Sequence, residues 1–158
     1  MNLLHAQNLA TKLITNYELK QWQFKFDRAK RRFGCCNFSH KVISISRYFV
    51  ELNSAMQVQD VILHEIAHAL VGSRQGHNKI WQQKAREIGC RTTRCFSKQI
   101  KIPPLRYIAI CTHCKKSFQA QRKRKVACAE CCRKYNHKKY SAKYRIQFLN
   151  FTQKTNNI

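Results

Sequence analysis

The chain has 158 residues and carries 31 Lys and Arg against seven Asp and Glu, a formal net charge of +24. No run reaches the ~20 apolar residues of a membrane span, and the N-terminal residues lack the long apolar core and cleavage site of a signal peptide. Nine Cys invite a secreted disulfide scaffold, but their spacing fits metal ligation in a reducing, cytoplasmic setting better.

Residues 2–19 space Leu3, Leu4, Leu9, Leu13 and Ile14 as an amphipathic helix does. Segments 22–26 and 41–46 alternate like strands, 34–38 reads as a third, and Ser39-His40 marks the turn between the last two. The basic run Arg28-Ala29-Lys30-Arg31-Arg32 falls in the turn after the first strand. Asn53-Ser54 then offers N-cap chemistry and Gly72 a stop. Between them Val58, Ile62, Ile66, Ala69 and Leu70 follow helical spacing, while Val61 and Leu63 widen the apolar surface. That pattern predicts a largely buried helix, followed by a second over 79–88. Pro103-Pro104 marks an extended linker.

The buried helix carries His64-Glu65-Ile66-Ala67-His68. Two imidazoles four residues apart share one helical face and reach one ion. Buried without a partner, this polar group would cost several kcal/mol, a penalty that a zinc ion removes. Glu65 beside the pair is placed to take a proton from an activated water, the work of a zinc hydrolase. A catalytic zinc wants a third protein ligand. His77, flanked by Gly76 after the break at Gly72-Ser73, is the first candidate, and Glu87 on the next helix is the competitor. The local Gly-His pair favours His77. Tyr48, Arg47 and Tyr107 are candidates to stabilise an oxyanion, and nothing in the sequence singles one out.

Downstream, Cys111-x2-Cys114 and Cys128-x2-Cys131 are two knuckles separated by thirteen residues. Four thiolates so spaced are the ligand set of a zinc ribbon. Segments 116–120 and 125–127 read as two strands of a hairpin that brings the knuckles together. Cys132 competes with Cys131, and the symmetric spacing favours Cys131. His113 and His137 read as solvent-facing. Cys35, Cys36, Cys90 and Cys95 read as small buried apolar residues.

The charge is concentrated toward the C-terminus, where 98–145 holds fifteen Lys and Arg against one acid, Glu130. The run Arg122-Lys123-Arg124-Lys125 sits at the predicted hairpin tip, where it must be solvated. It and the earlier run Arg28, Lys30, Arg31 and Arg32 are candidate contacts to a nucleic-acid backbone. No base-reading pattern is visible, so DNA binding is expected to tolerate sequence, to suit single strands, and to weaken with salt. Residues 136–158 read as a basic tail in which 144–148 is expected to form a strand or short helix and 153–158 to fray.

Several stretches together resemble SprT-like zinc metalloproteases. They are 22–34 with Cys36-Asn37-Phe38, then 43–47, Leu63 to Ala69, Gly76-His77 followed by Trp81, and 85–90. The resemblance implies an α+β, minimal zincin-type domain: an N-terminal helix, a small antiparallel sheet, the HExxH helix and a following helix. It implies zinc held by His64, His68 and His77, with Glu65 catalytic. Asn78-Lys79-Ile80 departs from the Gly-Pro-like turn expected after the third histidine. Spartan-type members degrade proteins crosslinked to DNA, and a C-terminal ribbon is common.

The expected layout is a protease domain over 1–100, a linker at 101–104, the ribbon over 105–135 and the tail. Two zinc ions are expected, one catalytic and one structural. The expected function is that of a monomeric, DNA-associated zinc metallopeptidase acting on proteins held on DNA, off the membrane. It would be cytoplasmic, with the nucleoid in a bacterium or the nucleus in a eukaryote as its place. The alternative is a non-enzymatic, zinc-stabilised nucleic-acid-binding module with a vestigial protease helix.

Overall fold

A computed structural model of the chain describes residues 1–91 and 100–151. Two compact units divide at Pro103 and Pro104.

The first unit opens with α1 (Leu3–Asn16), capped by the Asn2 side chain, which accepts from the His5 N–H at 2.7 Å. Ala6, Ala10 and Ile14, spaced four apart, form its buried stripe. Three strands follow: β1 (Gln23–Asp27), β2 (Gly34–Asn37) and β3 (Val42–Ser46), in the order β1-β3-β2. Ile43 and Ile45 alternate into the core from the central strand β3. β2 and β3 form the expected antiparallel pair, but β1 pairs with β3 in parallel. The sheet is therefore mixed, because 28–33 carries the chain across the end of β3 instead of turning back beside β1.

Asp27 organises that crossing. Its carboxylate accepts from the Ala29 N–H at 2.8 Å, the Arg32 guanidinium at 2.8 Å and the Ser44 hydroxyl at 2.9 Å. Burial alone would raise the Asp27 pKa, but these donors outweigh it and hold the carboxyl below its usual value. A carboxylate lowered in the fold stabilises above its unfolded pKa and loses that contribution as pH falls through the folded one. Asp27→Asn is thus expected to cost about 1–2 kcal/mol at neutral pH. The gap to wild type should narrow as acid is added below about pH 4. Denaturant midpoints across that range check it, and equal midpoints throughout would deny Asp27 this role.

Ser46 ends β3 and caps α2 (Arg47–Leu52), accepting from the Phe49 N–H at 3.3 Å. Six residues are too few to show a helical period, so the sequence does not announce this turn. Next comes α3 (Ala55–Val71), opened by a capping box between Ser54 and Gln57 and closed at Gly72, whose φ is 89°. α4 (Lys79–Glu87) starts at Asn78, whose side chain accepts from the Trp81 N–H at 3.1 Å. Phe49, Val50, Val58, Ile62 and Ile66 join Ile43 and Ile45 in one core beneath α1 and the sheet. Asn53, 5% exposed, bonds both Lys101 backbone groups at 2.9 Å and returns the chain to this unit.

The second unit holds β4 (Tyr107–Cys111), β5 (Ser117–Ala120), α5 (Ala129–Tyr135) and β6 (Ile146–Asn150). Its strands run antiparallel in the order β5-β4-β6. Here the sequence reading needs one correction. β5 pairs with β4, not with 125–127, whose Ala127 makes only an isolated bridge to Arg145. Tyr107, Ala109 and Cys111 alternate inward and make the better partner, whereas 122–125 has only cations to offer a strand. Arg122 to Lys125 consequently lie in a connection, not at a hairpin tip. The third strand covers 146–150, so the stretch 144–148 takes, from Ile146 on, the strand form of the two expected for it. Among the described residues no helix is long and apolar enough to cross a membrane.

Candidate active site

α3 places His64 and His68 one turn apart. Gly72 ends the helix, and Gly76 (φ 51°) turns the chain so that His77 comes back over the helix end. The His77 Nε2 lies 3.0 Å from that of His64 and 3.2 Å from that of His68. Three ring nitrogens so close have little to offer one another. Zinc–nitrogen bonds of about 2.0–2.1 Å in a tetrahedral site would space them by roughly 3.3 Å. The trio fits a zinc ion with one position left open.

Beneath it lies Trp81, 2% exposed, with ring centroids 4.7, 5.2 and 4.6 Å from those of His64, His68 and His77. Gln82 donates its amide to the His77 carbonyl at 3.0 Å. Burial, and then the neighbouring imidazoles, lower His64 and His68 to about 4. Both rings are therefore neutral at pH 7, the form that ligates a metal.

Glu65 is 7% exposed and faces β2. Burial pushes its carboxyl up to about 7, against the lowering effects of the Arg32 charge and the Cys36 N–H. Gly34 is what admits it: an ideal Cβ there would stand 2.5 Å from Oε1 and 2.8 Å from Cγ of Glu65. The sequence gives no hint of this contact, which joins residues 31 apart; a glycine opening a strand is the only trace. Gly34→Ala should displace the carboxylate and lower peptidase kcat by about 10²-fold or more, with zinc content unchanged. A variant as fast as wild type would show that the close approach is dispensable.

Glu87 is excluded as third ligand: it is exposed on α4, paired with Lys84 and accepting from Gln83 at 3.1 Å. Of the candidate oxyanion donors, Arg47 pairs with Glu51 at 3.2 Å. Tyr48 and Tyr107 lie under the Lys30 and Lys123 ammonium groups, each 5.3 Å from the ring centroid.

In the second unit Cys111, Cys114, Cys128 and Cys131 bring four sulfurs within 4.8 Å of one another. The Cys111–Cys131 and Cys114–Cys128 separations are 3.9 Å. Tetrahedral zinc with sulfur at about 2.3 Å asks for roughly 3.8 Å. Burial opposes ionisation of Cys111, but the Cys114 and His113 N–H groups more than offset it and lower the thiol to about 7. Cys132 is buried in the ribbon core, outside the four-sulfur cluster. His113 is exposed, with Nδ1 3.7 Å from the Cys131 sulfur.

Of Cys35, Cys36 and Cys90, only Cys90 is buried as expected. Burial pushes Cys36 and Cys90 up to about 12, and Cys35 and Cys36 lie half-buried on β2. Cys95 lies outside the described residues. Of the basic runs, Arg28, Arg31, Arg32 and the four residues Arg122 to Lys125 are exposed, and Lys30 is half-buried.

No curated protein matches the chain. Among solved structures, the chain is similar to the crystal structure of the metallopeptidase zymogen of Methanocaldococcus jannaschii jannalysin. The two are 18% identical with a TM-score of 0.47, over 60% of this chain and 85% of that one. The SprT-like family matches residues 4–102. That span begins within α1 and takes in the sheet, the HExxH helix and His77, so the chain belongs to the SprT-like family and carries a zinc-protease centre.

Proposed function

We propose that the protein is a DNA-associated zinc metallopeptidase that cuts proteins bound or crosslinked to DNA, with Glu65 as general base. The convergence of three imidazoles on one point carries the peptidase part. His64, His68 and His77 would hold a zinc ion, which would supply Lewis acidity toward a carbonyl and lower the pKa of a water toward ~7. Glu65 accepts the proton of the attacking water and delivers it to the leaving amine. Gly34 and the Cys36 N–H fix where that carboxylate stands, and Trp81 packs against all three rings.

The DNA part rests on charge. Of the seven acids in the chain only Glu130 lies beyond residue 103, and Lys116 engages it at 2.6 Å. The two exposed basic runs supply phosphate contacts, so binding is led by the backbone and falls steeply with salt. The ribbon gathers the enzyme on DNA, and the histidine centre cuts what is held there. The protein acts as a monomer off the membrane, in the cytoplasm or wherever the DNA lies. Cleavage of a DNA-bound basic protein, with and without single-stranded DNA, tests this. Faster cleavage with DNA is expected, and equal rates would remove DNA from the account.

A further inference from the structure

In the first unit Trp81 is a buried donor with no acceptor. It is 2% exposed, and its indole N–H has no hydrogen-bond partner among the described residues. The cap that opens α4 places it, since the Asn78 side chain accepts from the Trp81 backbone N–H. Leu63 and Ala67 of α3, Ala85 of α4 and Cys90 close round it. A space that only needed apolar filling would take phenylalanine or leucine and leave no donor unmet. What an indole adds to such a space is its ring, the aromatic face that draws a cation best.

That ring meets all three histidines. The His68 imidazole lies nearly parallel to it, at 29° and 5.2 Å between centroids. His64 is tilted at 60° and 4.7 Å, and His77 stands edge-on at 76° and 4.6 Å. All three distances are inside the ~6 Å over which a cation is drawn to an aromatic ring. Metal-binding histidines are ordinarily oriented by an acceptor at the ring nitrogen that does not touch the metal. Among the described residues no acceptor meets Nδ1 of His64 or His68, whose Nε2 atoms face that of His77. These two rings lean on the indole instead.

The indole acts differently on the empty and the loaded centre. A neutral imidazole gains only contact with it. A zinc-bound imidazole shares the charge of the ion, and the negative face of the indole attracts that charge. A group that interacts more strongly with one of two states shifts the equilibrium toward it by the difference.

We propose that Trp81 is the positioning residue of the histidine centre: its indole orients the ligand imidazoles, for His64 and His68 in place of a hydrogen-bond acceptor, and favours the zinc-loaded centre over the empty one. The inference rests on the zinc-protease centre described above and adds what holds its ligands and raises its affinity.

Zinc binding to the full chain, measured by competition with a chromophoric chelator, tests it. His64→Ala with His68→Ala holds only the thiolate-bound ion and identifies its share of the titration. Trp81→Leu should weaken zinc at the histidine centre roughly 10–100-fold, the usual effect of removing an outer support from metal ligands, and leave the ribbon ion untouched. Trp81→Phe keeps an aromatic face and removes the unmet donor, so its affinity should fall between those of Trp81→Leu and wild type. Thermal melts with and without zinc separate a positioning residue from a space-filler. Trp81→Phe should lower the midpoint of the first unit more in the loaded protein than in the chelated one.

If Trp81→Leu does not fold, Trp81→Phe decides alone. Equal losses in loaded and chelated protein, or a histidine-centre affinity equal to that of wild type, would overturn the inference and leave the zinc centre standing. A wild type that binds zinc only at the ribbon would overturn both.

Discussion

Glu65→Gln should abolish measurable peptide hydrolysis while zinc stays bound. The amide keeps the size of the carboxylate and fits the same space beside Gly34, so the helix and the three rings are undisturbed. What it lacks is basicity, and a positioned general base contributes about 10²–10⁴-fold. Activity against a DNA-bound protein should fall by that factor, with metal content unchanged. A variant as fast as wild type would give the base to another group. Loss of metal with activity would make Glu65 a support for the site instead. The same comparison separates an enzyme from a nucleic-acid-binding module with a vestigial centre, since only an enzyme has activity to lose.

Stripping zinc should unfold the second unit first and weaken the first. Among the described residues the ribbon's buried cluster is Ala109, Cys111, Cys131, Cys132, Tyr144 and Ile146, and two of these six are thiols of the four-sulfur cluster. So small a core cannot offset chain entropy alone, whereas structural zinc contributes roughly 10–16 kcal/mol of apparent binding free energy. The first unit has a larger core and should survive chelation with a lower midpoint. Thermal melts with a strong chelator should therefore show two transitions where the loaded protein shows greater stability. Cys128→Ser should lose the early transition's zinc alone and keep the histidine-bound ion. One transition indifferent to chelator would contradict both centres as sources of stability.

What could be seen in the sequence was what the chain writes locally. Ser54, Gln57 and Gly72 mark the ends of α3, and the apolar period between them puts His64 and His68 on one face. Gly76 beside His77 signals the return that completes the trio. The knuckles are legible because the two cysteines of each stand three positions apart. Pairings across distance were not legible. β1 lies parallel to β3 because 28–33 crosses a strand end, and β4 accepts both β5 and β6, neither of which local alternation reveals. The approach of Gly34 to Glu65 is of the same kind, as is the Trp81 floor beneath three imidazoles. The His ligands lay in the pattern; the groups that hold them in register came from tertiary packing.

Zinc content of the purified full chain, read beside that of His64→Ala with His68→Ala, tests the central claim most directly. The account predicts two zinc ions per chain in wild type, and one in the double variant, which should also be inactive as a peptidase. One zinc in both proteins, with peptide cleavage preserved in the variant, would contradict it.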